Sequence, residues 1–469
     1  MSRAFSSDDV SGAADTVIFA LPIPTDDRRR LAAGWLWLAI ASLMAAGLLS
    51  VLLVLSRVPY IKDIFPWVDF FHTALVAHVD LSVLVWFLSF GGVFWSLNST
   101  TRWLSLGWAA LALATAGSVV IALAPFAGAG HAIMSNYIPV LDAPLFLAGL
   151  LAFALGITML VGRSMIAIPP VGPWAEGVGA LRFGLNAAAV SACFALIAFG
   201  WSYWLMPDYL NGKPYYELLF WGGGHVLQFT YTLLMLVAWL WLASASGIRL
   251  RITPRVALIF FLLGLLTVFL VPIIYYSYGI LSVEHVRLFT WLMAYGGSLA
   301  SLPLGLAIWH GLLFGGRAPP ATRALRAALI TSVLLFGIGG GIGFLIQGSN
   351  VTIPAHYHGS IVAVTLAFMG LTYHLLPRLG FGEPQPVMAH AQPYVYAVGQ
   401  LLHVLGLVWS GGYGVQRKLA GGEQILDSFG QKAGMGLMGI GGLIAVIGGF
   451  MFLVVVVRAL LQRKAISVH

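Results

Sequence analysis

Apolar segments long enough to cross a lipid bilayer recur along the whole chain, and they constrain its fold more than any other feature. Sixty per cent of the 469 residues are hydrophobic and nine per cent are charged. About 20 apolar residues span the ~30 Å hydrocarbon core of a bilayer, where only helices and closed barrels satisfy the backbone. The sequence therefore predicts an all-α integral membrane protein with twelve spans, near 31–56, 68–98, 104–128, 138–161, 183–206, 215–244, 253–280, 285–314, 323–347, 353–377, 393–414 and 434–460.

Nothing between these segments resembles a separate soluble domain. We expect a cytoplasmic amino-terminal tail over 1–30, one twelve-helix membrane domain over 31–460 and a cytoplasmic tail over 461–469. The first 30 residues contain no apolar run bounded by a cleavage site, so a removed signal peptide is not expected. The lone Cys193 lies in an apolar span, which excludes intrachain disulfides and thiolate metal clusters.

The basic residues are distributed unevenly between the two sides of the predicted membrane domain. Sixteen of the 24 Lys and Arg residues precede the first span or fall in alternate connections and the carboxyl end, and seven fall on the other side. Cytoplasmic connections carry such an excess. Both termini are therefore predicted in the cytoplasm of a bacterial-type inner membrane, in contact with lipid. The net charge of +8 is explained without a nucleic-acid partner.

Four histidines lie inside predicted spans at a similar depth. His78 and His225 stand about ten residues into the second and sixth spans, and His356 and His358 lie in the first turns of the tenth. Even-numbered spans run from the outer face inward, so all four fall in the outer half of the membrane. Ionisable side chains in hydrocarbon are costly and usually functional, and neutral imidazole is a strong axial ligand of haem iron.

The spacing of these histidines suggests how two haems would be shared among them. His356 and His358 point about 200° apart on a helix, so each can serve a different cofactor. Two histidines from facing helices give a six-coordinate haem suited to electron transfer, which pairs His78 with His358. His356 alone would hold a second haem with an open face for a small molecule, and His225 could stand over that face.

Three motifs carry a resemblance to a known family. They are "HYHGSIVAVTLAFMGLTYHLLP" in the tenth span, "LVAHVDLSVLVWF" in the second and "WGGGHVLQF" in the sixth. The chain resembles the large catalytic subunit of the haem–copper oxidase superfamily, which includes cytochrome c oxidase subunit I, cbb3-type oxidases and nitric oxide reductases. The approach to the tenth span, from Gly348 to His356, is similar to the nitric oxide reductase and cbb3-type branches.

The resemblance implies a role for each matched histidine and a high-spin and a low-spin haem, the latter of b type. His356 would ligate the high-spin haem, His358 and His78 the low-spin haem, and His225 a copper or non-haem iron. Arg417 and Lys418 match a basic pair that meets haem propionates through charge-assisted hydrogen bonds.

The seventh span departs from the family pattern, because the family has a His-His pair there that completes the second metal site. Depending on the residue used for alignment, either Tyr275 and Tyr276 or Tyr278 and Gly279 occupy that place. Imidazole with phenols is a poor ligand set for copper, although deprotonated tyrosine can bind iron. Tyr275 and Tyr276 are kept as candidate catalytic residues, and the second metal is left open.

Other polar residues receive weaker interpretations. Asp80 and Asp142 could serve proton uptake, and Glu284 with His285 could fold back toward the site from an outer loop. The glycine-rich segment 337–343 is typical of close helix packing rather than of a nucleotide loop. The remaining histidines are interpreted as structural or unmatched to the family pattern: His72, His131, His310, His374, His390, His403 and His469.

Two functions are compatible with these sequence features. The first is a respiratory oxidoreductase that passes electrons from the His78–His358 haem to a high-spin haem, where O2 or NO is reduced. The alternative is a dihaem membrane electron carrier or gas-binding sensor that has lost the second metal. No Cys-x-x-Cys-His motif attaches a c-type haem, so electrons would arrive from quinol or from a separate cytochrome or copper subunit. A secondary transporter would not explain the shared depth of the histidines.

Overall fold

The computed structural model describes residues 17–55, 70–128, 130–173, 176–316, 319–348, 350–417 and 426–462. In this part of the chain, twelve helices are long and apolar enough to cross a membrane, which confirms the predicted fold class. In order, these spans are Asp27–Leu52, Phe70–Leu97, Leu104–Phe126, Pro144–Ile166, Gly177–Leu205, Gly212–Ala245, Pro254–Ser277, Val283–Phe314, Pro320–Gly343, Thr352–Leu375, Pro386–Gly412 and Phe429–Leu461.

Three spans begin six or seven residues away from the predicted position, among them the fifth, which begins at Gly177 rather than 183. The fourth span was expected from 138 but begins at Pro144, because the preceding residues form a small antiparallel hairpin. Its strands are β1 (His131–Ile133) and β2 (Val140–Asp142). The eleventh span begins at Pro386 rather than 393, since Pro393 is accommodated inside the helix, as neighbouring helices allow in membranes.

Three spans are interrupted between their ends by turns that are not α-helical. The second changes to π-helix over Asp80–Val85, immediately after the helical turn that carries His78. The seventh contains a 3₁₀ turn at Thr267–Leu270, and the eighth a π turn at Leu292–Gly296. Single π turns are frequent at functional sites, and each such turn changes which side chains face the bundle interior.

The spans that carry the four predicted ligands are the most buried in the molecule. Over their most apolar stretches, 94 % of the residues of the sixth span are buried, 83 % of the tenth and 72 % of the second, against at most half in the others. A phenylalanine and tryptophan cluster fills the space between these spans; Phe90 stacks on Phe368 with centroids 4.3 Å apart. The bundle interior is therefore built from the histidine-bearing helices.

Glycines allow two pairs of neighbouring spans to approach closely. In the ninth and tenth spans, a Cβ added to Gly359 would lie 2.6 Å from the Cα of Gly339. In the eleventh and twelfth, a Cβ on Gly399 would lie 2.8 Å from the carbonyl oxygen of Gly441. Small residues at such interfaces let backbones pack in membranes, and within segment 337–343 the structure shows this close approach at Gly339.

A buried arginine fixes the connection between the second and third spans. The guanidinium of Arg163, from the fourth span, donates to the carbonyl oxygens of Trp103 and Thr100, both at 3.0 Å. Arg28 donates to the Ser99 carbonyl and forms a 2.7 Å ion pair with Asp26. The hydrogen bonds from Arg28 lower the pKa of the Asp26 carboxyl. These contacts order one end of the bundle, opposite the end that carries the histidines.

Candidate functional site

The ring of His78 is oriented by the first span. Its Nδ1 lies 2.8 Å from the carbonyl oxygen of Ala46. A carbonyl oxygen only accepts, so Nδ1 carries the proton and the lone pair of the neutral ring lies on Nε2. Metal-ligating histidines are typically held in this way, with the other ring nitrogen donating to a carbonyl. The geometry of His78 therefore suits an axial ligand.

His356 is held in the same manner by the ninth span. Its Nδ1 donates to the carbonyl oxygen of Gly339 at 2.7 Å. A Cβ on Gly343 would lie 2.8 Å from that nitrogen, so the absence of a side chain at Gly343 makes room for the ring. The glycine-rich segment thus packs two helices together and also supports His356, with Nε2 left available.

The structure brings His358 together with His78 and with a histidine that the sequence analysis set aside. His358 is half-buried, and both His78 and His403 are close enough to act on it electrostatically. The rings of His358 and His403 are in edge contact, with centroids 4.7 Å apart. The proposed low-spin pair is therefore a group of three imidazoles from the second, tenth and eleventh spans.

The depth of His403 in its span could have identified it as a candidate site residue from the sequence. His403 lies nine residues before the end of the eleventh span at Gly412, and His78 lies eight residues after the start of the second span at Phe70. With 1.5 Å per residue, the two side chains stand at nearly the same level. The three motifs matched in the sequence lie in the second, sixth and tenth spans, so motif matching alone passed over this residue.

His225 differs from the other candidate ligands because both of its ring nitrogens are engaged. Nδ1 donates to the Trp221 carbonyl oxygen at 2.7 Å, and Nε2 lies 2.8 Å from the hydroxyl of Tyr137. Burial raises the pKa of the Tyr137 phenol, so the neutral hydroxyl donates to Nε2. The position through which His225 would bind a metal is therefore occupied by a protein hydrogen bond.

Tyr137 was not predicted, because it reaches the site from the hairpin loop rather than from a span. Its φ of 68° lies in the left-handed region, which is uncommon for a residue with a side chain. Its ring occupies the space where a Cβ of Gly224 would stand. Strained backbone persists where surrounding contacts determine it, and the hydrogen bond to His225 is such a contact.

The two candidate tyrosines of the seventh span point in different directions. Tyr275 is buried, and its hydroxyl lies 2.7 Å from the Ser202 Oγ and donates to the Ala198 carbonyl at 3.1 Å. Tyr276 is 90 % exposed on the outside of the bundle. The structure brings Tyr275 to the His225 region and does not bring Tyr276 there.

His285 does approach this region, although it begins a helix rather than standing in a loop. It is 1 % exposed in the first turn of the eighth span, with its ring centroid 4.9 Å from that of Tyr275. The ring of Phe289 contacts both histidines, with its centroid 5.0 Å from that of His285 and 6.0 Å from that of His225. The structure thus brings His285, Phe289 and His225 into one aromatic cluster.

The donor set decides which cofactors fit. His78 and His356 each leave one oriented nitrogen free, which suits haem iron. In the described part of the chain, no group of three or more His, Cys, Asp or Glu side chains could hold a metal ion. With Nε2 of His225 bonded to Tyr137, the described residues fit haem and do not fit copper or non-haem iron.

The remaining candidates lie around this core. Arg417 donates to the Asn136 side chain at 3.3 Å, beside Tyr137. Lys418 lies outside the described residues. Asp80 is 1 % exposed, and neither carboxyl oxygen has a hydrogen-bond partner among the described residues, whereas Asp142 is exposed at the end of β2. The role of the basic pair in propionate binding stays a prediction, as does the role of the two aspartates in proton uptake.

Comparison with solved structures identifies the fold class. A heme-copper terminal oxidase, solved by cryo-EM as a dimer, superposes with a TM-score of 0.75 at 16 % sequence identity, over 94 % of this chain and 85 % of that one. At this identity the likeness shows the fold, so the chain is a multi-pass membrane protein with the heme-copper oxidase fold. No model of a known protein family matches the sequence.

Sequence comparison gives the narrower family. The chain is 30 % identical to uncharacterized protein RP382 of Rickettsia prowazekii, over 94 % of this chain and 98 % of that protein, and it belongs to the same family. An uncharacterized protein of Aquifex aeolicus is 29 % identical, over 74 % of this chain and 85 % of its own length.

Proposed function

We propose that this protein is a haem-containing membrane oxidoreductase similar to the catalytic subunit of a respiratory terminal oxidase or nitric oxide reductase. Electrons would pass from a low-spin haem on His78 and His358 to a high-spin haem on His356, at which O2 or NO is reduced. The observation that carries the proposal is the shared anchoring of His78 and His356, whose Nδ1 atoms donate to carbonyls of neighbouring helices.

The chain's own residues would position the haems and control their surroundings. When bound, the haems supply one-electron transfer and a site for a small gas. The Ala46 and Gly339 carbonyls fix the tautomer and orientation of His78 and His356. Burial of the second, sixth and tenth spans excludes water. Arg417 would pair with a propionate at the outer face.

The same proposal sets the orientation and partners of the protein. Both termini would lie in the cytoplasm of the inner membrane, as the distribution of basic residues predicts. The haem-bearing half then faces the outer side, where a cytochrome or copper subunit could deliver electrons; quinol is the other candidate donor.

A second function is favoured by the hydrogen bond between Tyr137 and His225. It occupies the nitrogen that a second metal would need. In this alternative, the chain is a dihaem electron carrier or gas-binding sensor, and His225 with Tyr137 closes the pocket without a metal.

Metal analysis of the purified protein, followed by gas consumption, tests both functions. Because the described residues do not fit a second metal, we expect iron equal to haem and no copper. Consumption of O2 or NO by the chemically reduced protein would support the oxidoreductase. Binding of CO without consumption of either gas would support the carrier or sensor, and absence of haem would contradict both.

A further inference from the structure

A cavity of about 180 Å³ lies at the end of the bundle opposite the histidines. It is bounded by the amino-terminal segment 21–24, by the ends of the first, second and fifth spans and by the connection after the fourth. Its polar wall consists of Arg28, Asn98, Ser99 and Arg182, and none of the described residues that line it is acidic. A cavity needs about 10–15 Å³ to hold one water, so this one has room for a tetrahedral anion and part of an ester attached to it.

The amino-terminal wall of this cavity is held in place by the fifth and sixth spans. Phe19 is fully buried, and its backbone N–H donates to the Ser244 Oγ at 2.8 Å. Leu21 is also buried. A Cβ on Gly177, at the start of the fifth span, would meet the Ile18 carbonyl oxygen, so the segment packs directly on that helix. The cavity is therefore part of the folded bundle.

Positive charge around the cavity exceeds the negative charge that the described residues provide. Arg28 forms a 2.7 Å ion pair with Asp26. Arg182 donates to the Pro170 carbonyl oxygen at 3.0 Å, and the fully buried Arg163 also donates to carbonyl oxygens. Neither Arg163 nor Arg182 has a carboxylate partner among the described residues, and Arg163 is close enough to Arg28 for the two charges to repel. Carbonyl oxygens orient a guanidinium without neutralising it, so three cations are opposed by one paired carboxylate.

Buried polar atoms beside the cavity also lack partners. Arg163 donates from Nη2 to the Ser99 Oγ in the cavity wall at 3.3 Å, but its Nη1 has no hydrogen-bond partner among the described residues. The Oδ1 of Asn98, a wall residue that is 5 % exposed, has none there either. Arg182 uses one of its five N–H donors within the described part of the chain. Buried polar groups are normally satisfied, so these atoms indicate a partner that the described residues do not supply.

The general excess of basic residues on one side of the membrane does not account for this arrangement. That excess concerns side chains that remain in water beside the membrane, as the exposed Arg30 does in its ion pair with Asp27. Arg163 is instead fully buried, and a buried charge without a partner is costly. An anion bound in the adjacent cavity would reduce that cost.

We propose that this cavity binds a phosphate group, carried either by a phospholipid headgroup or by a free phosphate ion. The guanidinium groups of Arg28 and Arg182 come from different helices and line one cavity. Together they can contact more oxygens than the two of a carboxylate, and the guanidinium fork matches phosphate geometry. Arg163 adds positive charge behind Ser99. The site lies away from the histidines, so the proposal does not depend on the haems or on the proposed function.

The test uses the full-length protein in detergent, washed free of loosely held lipid, and two probes. Radiolabelled inorganic phosphate is measured by equilibrium dialysis, and phosphatidylglycerol is measured as retained lipid phosphorus. We expect saturable binding of at least one probe. Arg182→Gln removes one guanidinium and should weaken that binding about tenfold, as loss of a hydrogen bond to a charged group does. Asn98→Asp adds a carboxylate to the wall and should weaken it as well. The matched control is Arg30→Gln at the same end of the bundle, which should bind as the wild type does.

The two probes distinguish the source of the phosphate. Binding of inorganic phosphate that Arg182→Gln weakens would identify a free anion, and binding of phosphatidylglycerol alone, with the same sensitivity, would identify a lipid headgroup. Absence of binding for both probes would overturn the proposal. Equal binding by the wild type and Arg182→Gln, or equal weakening in Arg30→Gln, would also overturn it, because the cavity would then not be the site. Where Arg182→Gln does not accumulate, Arg182→Lys, which keeps the charge without the fork, provides the comparison with Asn98→Asp.

Discussion

Two buried regions of this protein hold histidines in the same way and differ in what meets the second ring nitrogen. At His78 and His356, Nδ1 donates to a carbonyl and Nε2 has no hydrogen-bond partner among the described residues. At His225, Nδ1 also donates to a carbonyl, but Nε2 accepts from Tyr137. A carbonyl anchor is thus common to both regions, and the free nitrogen distinguishes a candidate ligand from a structural histidine.

The comparison also separates the two halves of the proposed reaction. The region of the second, ninth and tenth spans contains the residues that we propose to bind and support the haems. The region of the fifth to eighth spans is filled by aromatic rings, with Tyr275 of the seventh span stacked on Trp201 of the fifth at a centroid distance of 4.9 Å. Electron transfer needs the first region alone, whereas reduction of a gas with a partner metal would need both.

The largest expected effect is loss of the low-spin haem in His78→Ala or His358→Ala. Each variant removes one of two axial ligands, so the six-coordinate spectrum should disappear while CO binding at the other haem remains. Absorption spectra of reduced and CO-treated protein measure both. His72→Ala on the same helix is the matched control, and a normal low-spin spectrum in either variant would disprove the pairing.

His356→Ala should have the opposite spectral result. It removes the proposed ligand of the high-spin haem, so CO binding should be lost while the six-coordinate spectrum persists. Retention of CO binding would show that another residue ligates the high-spin haem. The common carbonyl anchoring of His78 and His356 would then not identify haem ligands.

A smaller effect is expected from Gly343→Val, which changes the support of His356 and leaves the ligand itself intact. The added side chain would meet the ring, whose Nδ1 lies 2.8 Å from an ideal Cβ. Supporting residues commonly change metal affinity by 10–100-fold, so we expect CO-reactive haem to be retained about tenfold less tightly. Gly341→Ala, with nothing within 4 Å of its Cβ, is the control. Equal haem content in both variants would show that the space left by Gly343 is not needed for His356 to hold the haem.

The sequence predicted the fold and the helices of the site well, because apolar length and the order of histidines are local signals. The twelve spans are confirmed. Depth counting placed His78 and His358 at one level, and the structure puts them within electrostatic reach of each other. His403 was passed over because the matched motifs lie in other spans, although the same counting applied to the eleventh span would have found it.

Residues that depend on tertiary geometry could not be predicted. Tyr137 reaches His225 only because a hairpin folds over the bundle and Gly224 leaves room for the ring. Tyr275 and Tyr276 are adjacent in sequence, and their directions are set by a helix whose phase changes at the 3₁₀ turn Thr267–Leu270. A regular helical period could not decide which tyrosine faces inward.

The smallest predicted effect tests the closed region directly. Tyr137→Phe removes the hydroxyl that satisfies His225 Nε2 and leaves a buried acceptor unpaired, which typically costs about 1–3 kcal/mol of unfolding free energy. Denaturant titration in detergent measures this cost, with the exposed Tyr209→Phe as control. Because no group of three or more His, Cys, Asp or Glu side chains surrounds His225 in the described part of the chain, we expect the variant to remain free of copper after incubation with it, although Nε2 is no longer hydrogen-bonded. Stoichiometric copper in the variant would show that His225 keeps the capacity to bind a metal, and the difference between the two regions would then depend on one phenol.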